Sequence, residues 1–297
     1  METVSTDRRD VYAIITEQII ERLERGTVPW QRPWQGGGLP LNLVSRKAYR
    51  GINVWMLASA GYVSPYWISF KQAKQLGGYV RKGEKSLPVV FWKVDEKPDP
   101  ENPDATRKCF ILRYYNAFNT EQCDLPESVT AKLALPEPKE IDPIDACDQI
   151  VTAMPNPPAI EQGEPRAYYS PAIDRVNMPA RGLFDGAAEY YSTLFHELGH
   201  STGHRSRLDR ETITDVCPFG STNYSKEELI AEMTAAFLCG VCGIENRTID
   251  NSAAYVAGWL RKLRDDRRLV VIAAAQAQRA ADYIAGKQAG APYALAA

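Results

Sequence analysis

The residues with the clearest chemistry form an HExxH motif, His196-Glu197-Leu198-Gly199-His200. Histidines four residues apart stand on one face of a helix, where two imidazole nitrogens can bind a single Zn²⁺. Glu197 lies one step around that helix, so its carboxylate can take a proton from a water that the metal makes acidic. The motif predicts a zinc site, or a site for another divalent metal such as Mn²⁺, with Glu197 as the catalytic residue.

Such a site needs a third protein ligand, and a later helix offers one. Gluzincins supply a glutamate in the pattern ExxA, followed by an acidic residue that supports a ligand histidine. This pattern favours Glu228 as the ligand and Glu232 as the supporting residue, while Glu232 begins a competing ExxA and stays open as the ligand. His204 is a weaker third alternative, because the helix is expected to fray before it.

The alternative to a metal site is a chance HExxH on a surface helix. Leu194, Phe195 and Leu198 around the motif are apolar and indicate a buried helix, where unpaired His and Glu side chains would be costly. Two weaker expectations concern the neighbourhood of the site. Residues 168–174 are expected to form an edge strand that can pair with an extended peptide, and Tyr224 to stabilise an oxyanion.

The elements that must position these residues are predicted from hydrophobic periodicity and turn residues. Helices are predicted over 8–25, 53–60, 69–76, 145–154, 186–203, 225–242, 251–265 and 267–285. Strands are predicted over 89–94, over 108–119 and, as one strand or a bent pair, over 166–179. Ser225 is expected to cap the start of its helix, with Glu228 completing a capping box.

A Pro-rich, acidic segment over 124–145 has no sustained periodicity and predicts a linker. The expected architecture is α+β in two domains, over 1–130 and 146–297, with the linker at 131–145. The charge changes sign across this boundary. Residues 1–135 hold 19 Lys and Arg against 15 Asp and Glu, whereas 136–297 hold 16 against 22, so the net charge is -2.

Basic and aromatic side chains alternate in the first half of the chain. Residues 42–93 contain nine Lys and Arg, nine aromatic residues and one acidic residue, Glu84. Cationic side chains neutralise phosphates and aromatic rings stack on unpaired bases, so the pattern predicts binding of single-stranded DNA. The candidate contacts are Arg46, Lys47, Tyr49, Arg50, Trp55, Trp67, Lys71, Lys74, Arg81, Lys82, Lys85 and Trp92. The alternative is that the tryptophans fill a core and the basic residues form a solvated face.

Composition narrows the class of protein further. The chain has 297 residues with 44% hydrophobic and 24% charged content, typical of a globular protein. No apolar run is long enough to span a membrane and the N-terminus lacks a signal-peptide pattern, so a cytoplasmic protein is expected. Six cysteines in such a chain indicate reduced thiols, and the lone Cys239-x-x-Cys242 is expected in the core. A near-neutral charge with a basic first half disfavours a DNA mimic.

Taken together, these stretches resemble ArdC-type antirestriction proteins. The resemblance to their N-terminal single-stranded DNA-binding domain rests on 28–30, 42–53, 77–83, 91–92 and 115–122. The resemblance to their zincin-like metallopeptidase domain rests on 174–179, HELGHSTGHRSRL, EELIAEMTAAFL and 259–260. The resemblance implies binding of single-stranded DNA, with duplex DNA bound more weakly, and protection of conjugating plasmid DNA from host restriction endonucleases.

Proteolysis does not follow from the resemblance, and two other functions stay open. One is a zinc metalloprotease that is targeted to DNA and cleaves host restriction or other DNA-bound proteins. The other is a regulatory peptidase unrelated to DNA. Binding to single-stranded oligonucleotides separates the second from the rest.

Overall fold

The computed structural model describes residues 10–30, 39–98, 106–131, 133, 142–214, 222–246 and 253–287. Its strands are β1 (Leu41–Asn42), β2 (Tyr66–Ser69), β3 (Tyr79–Val80), β4 (Leu87–Pro98), β5 (Thr106–Asn119), β6 (Cys123–Asp124), β7 (Ala159–Gln162), β8 (Tyr168–Ser170) and β9 (Arg175–Met178). Its helices are α1 (Val11–Glu24), α2 (Ile52–Ala58), α3 (Phe70–Gln75), α4 (Glu127–Thr130), α5 (Pro143–Ala153), α6 (Ala187–Ser201), α7 (Glu211–Thr214), α8 (Thr222–Cys242), α9 (Ala253–Asp265) and α10 (Leu269–Ile284).

The N-terminal half is organised by a four-stranded sheet of order β1-β2-β5-β4. The strands β4 and β5 form a long antiparallel ribbon, paired from Leu87 with Ala117 to Pro98 with Thr106. Helix α3 begins directly after β2, where Ser69 and Gln72 form a capping box. A small pair of β3 with β6 closes the loop that follows α3.

The C-terminal half packs helices against a three-stranded sheet of order β7-β9-β8. Strand β8 therefore lies at one edge, antiparallel to β9. Helix α6, which carries the HExxH motif, packs against α8 along most of its length, and α10 covers the other side of α8. Helix α8 is buried almost all round, as its long apolar run with few charges requires.

The largest hydrophobic core joins both halves of the chain. It contains Ile15 and Ile19 of α1, Trp55 of α2 and residues of α5, α6, α8, α9 and α10. The Trp55 ring packs on Phe237 of α8, with ring centroids 4.3 Å apart. A hydrogen bond also joins the two halves, because the hydroxyl of Thr16 donates to the carbonyl of Arg267 at 2.7 Å. The two halves are thus held together by shared packing.

The predicted α+β class is confirmed, as are the predicted helices to within a few residues at each end. The segment 166–179 forms the bent pair, with its turn ending at Asp174, which has φ +48°. The prediction that Ser225 caps a helix is wrong, because α8 already includes Thr222 and Ser225 lies inside it. Most of the predicted linker, residues 132 and 134–141, lies outside the described residues. Cys239 and Cys242 are buried, as expected.

Candidate functional site

Helix α6 brings the imidazole rings of the two motif histidines next to each other. The Nε2 atoms of His196 and His200 are 3.1 Å apart, and their rings are nearly perpendicular, with centroids 4.7 Å apart. Tyr191, Leu194 and Phe195 anchor the opposite side of α6 in the core. This burial confirms the expected buried helix and fixes the direction in which both imidazoles point.

Helix α8 supplies the third donor through a close helix–helix contact. A Cβ added at Gly199 would lie 3.1 Å from the Cα of Ala231, so the absence of a side chain is what permits this approach. The contact carries Glu228 to 3.6 Å from His196 Nε2 and 3.8 Å from His200 Nε2. Gly199 therefore lets α8 approach the metal-binding helix closely.

His196, His200 and Glu228 form one cluster of potential ligands, with one donor atom from each lying within 4.8 Å of the others. Donors around a tetrahedral Zn²⁺ sit at about 2.0–2.2 Å from the ion, hence about 3.3 Å from one another. The observed separations match this spacing, and a two-histidine, one-carboxylate donor set suits zinc. Burial alone would raise the pKa of Glu228, but its bond with His196 and the charge of His200 lower it to about 2. These residues therefore fit a divalent metal.

Glu227 contacts the histidine cluster, and the sequence-based prediction did not include it. Its carboxylate lies 3.5 Å from His200 Nδ1, the nitrogen that points away from Glu228. The buried guanidinium of Arg210 and the hydroxyl of Thr212 both donate to Glu227. Burial alone would lower the pKa of His200, but its bond with Glu227 and the negative charges of Glu197, Glu227 and Glu228 together raise it. The adjacent acidic pair 227–228 was the available signal, because neighbours on a helix point about 100° apart.

Glu232 takes a different place from the one predicted for it. Its carboxylate accepts from the hydroxyl of Tyr255 and, at 3.2 Å, from the indole of Trp30. Burial raises its pKa to about 7. No donor atom of Glu232 belongs to the cluster formed by the described residues, so the alternative that Glu232 is the third ligand is not supported. The Nδ1 atom of His196 is buried and has no hydrogen-bond partner among the described residues, so the predicted support from Glu232 is not seen either.

The histidine cluster opens onto a cleft of about 800 Å³. Glu197, Tyr224 and residues 168–169 of the edge strand β8 line it. His204 also lines the cleft, but α6 ends at Ser201, and the His204 ring bonds to Ser206 at 2.8 Å. The weaker alternative of His204 as third ligand therefore fails, because the chain turns away from the helix before it. The expected edge strand beside the motif is confirmed.

A buried network fixes β8 relative to α6. The guanidinium of Arg207 donates to both carboxylate oxygens of Asp174 at 2.8 Å and to the carbonyl of Ser201 at 3.1 Å. The hydroxyl of Tyr169 on β8 donates to the same carboxylate at 2.9 Å. The turn after β8 and the end of the motif helix therefore share one charged anchor, which holds one wall of the cleft in place.

The predicted DNA-contacting side chains divide into an exposed and a buried group. The exposed group consists of Arg46, Lys47, Lys71, Lys74, Arg81, Lys82, Lys85 and Trp92. Tyr49, Trp55 and Trp67 are buried, with Trp55 fully so. A buried ring offers no face to a base, so the prediction that these three stack on DNA is wrong, and they pack the core instead. Arg50 forms an ion pair with the buried Asp282 of α10.

Among the described helices, none combines the length and the apolar character that crossing a bilayer would take.

Comparison with known families finds two matches that together span most of the chain. Residues 9–118 match the N-terminal domain of the anti-restriction factor ArdC. Residues 146–276 match a zincin-like metallopeptidase family.

Relatives and solved structures extend these matches. The chain is 37% identical to a DNA primase TraC of Escherichia coli over 91% of its own length, but it spans only 26% of that protein. It is 34% identical to protein y4eC of Sinorhizobium fredii, over 96% of both chains.

The fold is also that of ArdC from plasmid R388. The metal-free crystal structure of that protein has a TM-score of 0.72 at 43% identity, with 93% of this chain and 96% of the other covered. The Mn(II)-bound structure has a TM-score of 0.73 at 41% identity, with 93% and 97% covered. Both domains are matched, in this order, and the chain overlaps almost completely with ArdC. The chain therefore belongs to the ArdC family of antirestriction proteins.

Proposed function

We propose that this protein binds single-stranded DNA through its N-terminal half and shields incoming plasmid DNA from host restriction endonucleases in the cytoplasm. The observation that carries the proposal is the exposed basic surface of an ArdC-type domain. Seven of the predicted cationic contacts, all between residues 46 and 85, are exposed. Each phosphate neutralised there releases counterions, so affinity should fall as salt rises. Duplex DNA should bind more weakly, because its bases are already stacked.

Electrophoretic binding of the full chain to single-stranded and blunt duplex oligonucleotides at several salt concentrations tests this proposal. Lys82→Ala combined with Lys85→Ala should weaken binding and flatten its salt dependence. Arg261→Ala combined with Arg279→Ala is the matched control, since it removes two exposed charges from the C-terminal half. Equal or tighter binding to blunt duplex would contradict the proposal.

Peptide hydrolysis is a second candidate function. The observation in its favour is that the His196, His200 and Glu228 cluster opens onto a cleft beside Glu197 and an edge strand. A divalent ion held there would lower the pKa of a coordinated water and polarise a carbonyl. Its substrate would then be a host restriction protein or another protein bound to DNA.

The cleft residues have distinct parts in such a reaction. Glu197 would take a proton from the attacking water and pass it to the leaving amine. Strand β8 lies at the edge of the sheet that the described residues form, where an extended peptide can add as a further strand. Tyr224 lines the same cleft, and its hydroxyl would donate to an oxyanion formed there.

Glu197→Ala separates the two candidate functions. This variant should keep its metal and its affinity for single-stranded DNA, and it should lose any hydrolysis of casein or a restriction enzyme in the presence of Zn²⁺ or Mn²⁺. In a plasmid-transfer assay against a restricting host it should still protect, because occupancy of the DNA is enough to exclude a nuclease. Loss of protection with DNA binding intact would favour proteolysis as the mechanism.

Elemental analysis of single variants tests the ligand set. Glu228→Ala should lose the metal, whereas Glu232→Ala and His204→Ala should keep about one equivalent. Full metal content in Glu228→Ala would contradict the assignment of the third ligand.

A further inference from the structure

The ribbon of β4 and β5 leaves the core partway along its length. On one of its faces Val89 is buried, whereas Phe91, two residues farther out, is 44% exposed. Side chains alternate along a strand, and Phe91 pairs with Arg113 of β5. The face that carries Phe91 and Arg113 therefore also carries Lys93 and Tyr115. We call these four residues the Phe91 face.

The opposite face of the same ribbon has a different character. It presents Trp92, which is 48% exposed, together with Val94 and Tyr114. By strand register this face also carries Lys108, which lies across from Glu96, so the formal charges of these two residues sum to zero. The Phe91 face has Arg113 as an exposed cation, so a polyanion is attracted more strongly to that face.

The aromatic rings of the Phe91 face are held in place by contacts with neighbouring aromatic residues. The hydroxyls of Tyr115 and the buried Tyr49 are 3.3 Å apart, which ties Tyr115 to the core. The ring of Phe91 leans on Tyr115, with centroids 6.1 Å apart and planes at 50°. A ring that is already fixed by its neighbours loses little conformational entropy when a base stacks on it.

Charge on this face is concentrated at Arg113. Lys93 pairs with Asp95 at 2.7 Å, which offsets its charge. Arg113 is exposed and lies directly across the ribbon from Phe91. A cation beside a stacking ring is the combination that binds a single nucleotide unit, with the ring on the base and the cation on the phosphate.

We propose that the Phe91 face is a stacking surface for single-stranded DNA, in which Phe91 contacts an unpaired base and Arg113 an adjacent phosphate. The proposal rests on the proposed DNA-binding function and names a surface that it did not include. In this proposal the exposed ring of Phe91 takes the stacking role that the sequence had suggested for the buried Trp55 and Trp67. Trp92 makes no contact with the DNA.

Fluorescence anisotropy with labelled oligo(dT) and the full-length chain tests this surface. Phe91→Ala should weaken binding about tenfold through loss of one stacked base. Phe91→Trp should keep the affinity of the unchanged protein. Phe91→Leu should lose affinity, because leucine keeps the bulk of the side chain but has no aromatic face. Arg113→Ala should lower the slope of log affinity against log salt by about 0.7, as for one phosphate contact on a single strand.

Tyr114→Ala is the matched control, since Tyr114 is adjacent to Arg113 in sequence, is 43% exposed and lies on the other face. It should bind like the unchanged protein, and circular dichroism should show all variants folded. Equal affinity of Phe91→Ala and the unchanged protein would overturn the surface while leaving the proposed function in place. A loss in Tyr114→Ala as large as that in Phe91→Ala would overturn the choice of face. Failure of the unchanged protein to bind oligo(dT) would remove the proposed function itself and this surface with it.

Discussion

Replacing Glu227 with glutamine should weaken metal binding although Glu227 is not a ligand. Its carboxylate accepts from Arg210 and Thr212 and faces His200 Nδ1 at 3.5 Å. A carboxylate in this position fixes the histidine tautomer that leaves Nε2 free to bind the metal, and it makes that nitrogen a stronger donor. Glutamine keeps the size of the side chain and removes its charge.

The expected loss follows from what surrounds Glu227. Loss of a residue that supports a metal-binding histidine typically costs 10–100-fold in metal affinity, or about 1.4–2.7 kcal/mol. The side chains of Glu227 and Arg210 are only 4% and 5% exposed, so water cannot replace the lost charge. The substitution also leaves the guanidinium of Arg210 buried without its counter-charge, which should cost about 3–5 kcal/mol in stability.

Competition of the folded protein with a chromogenic chelator for Zn²⁺ and Mn²⁺ measures the metal affinity. Urea denaturation of the chelator-treated protein measures stability separately. Glu232→Gln is the matched control, because it makes the same change in the same helix at a partly buried carboxylate that bonds to Trp30 and Tyr255 instead. The reasoning is refuted if Glu227→Gln binds metal as tightly as the unchanged protein, or if Glu232→Gln loses more affinity than Glu227→Gln.

Three further predictions concern the packing and titration of the same helices. Burial raises the pKa of Glu232 from 4.5 to about 7, so folding retains a proton that the unfolded chain releases. As the pH rises from 4.5 to about 7, the stability of the chelator-treated protein should therefore fall by up to about 3 kcal/mol. Glu232→Gln should flatten this part of the stability profile, as measured by urea denaturation. Gly199→Ala places a methyl group 3.1 Å from the Cα of Ala231 and should cost about 1–3 kcal/mol, with weaker metal binding; an unchanged melting temperature would contradict the close contact. Trp55→Ala removes a ring that packs on Phe237 and should cost about 3–5 kcal/mol in one unfolding transition; two separate transitions in calorimetry would show that the halves do not share a core.

The sequence alone was enough to predict the motif helix and the residues that could bind a metal. The four-residue spacing of His196 and His200 places both on one helix face, whatever the rest of the fold. Glu228 followed from a short pattern on a second helix, and the structure brings it to these histidines. Local periodicity likewise gave the α+β class, because helix and strand repeats depend on neighbouring residues.

Burial was decided only by the tertiary structure. Trp55 and Trp67 lie between two groups of basic residues in the sequence, and their aromatic character alone does not distinguish them from Phe91 and Trp92. Their surroundings come from distant elements, since Trp55 meets Phe237 of α8. Aromatic residues serve cores and binding surfaces equally well, so composition could not separate the two roles.

The residue that supports a metal-binding histidine could not be predicted from the sequence either. Glu227 and Glu232 are both glutamates on one helix, and sequence spacing favoured Glu232 as the support for a histidine. The crossing of α8 over α6 and the arrival of Arg210 from a separate loop turn Glu227 toward His200. Glu232 instead meets Trp30 and Tyr255, one from each end of the chain. Spacing along a helix fixes which side chains share a face, but only packing between helices decides what that face meets.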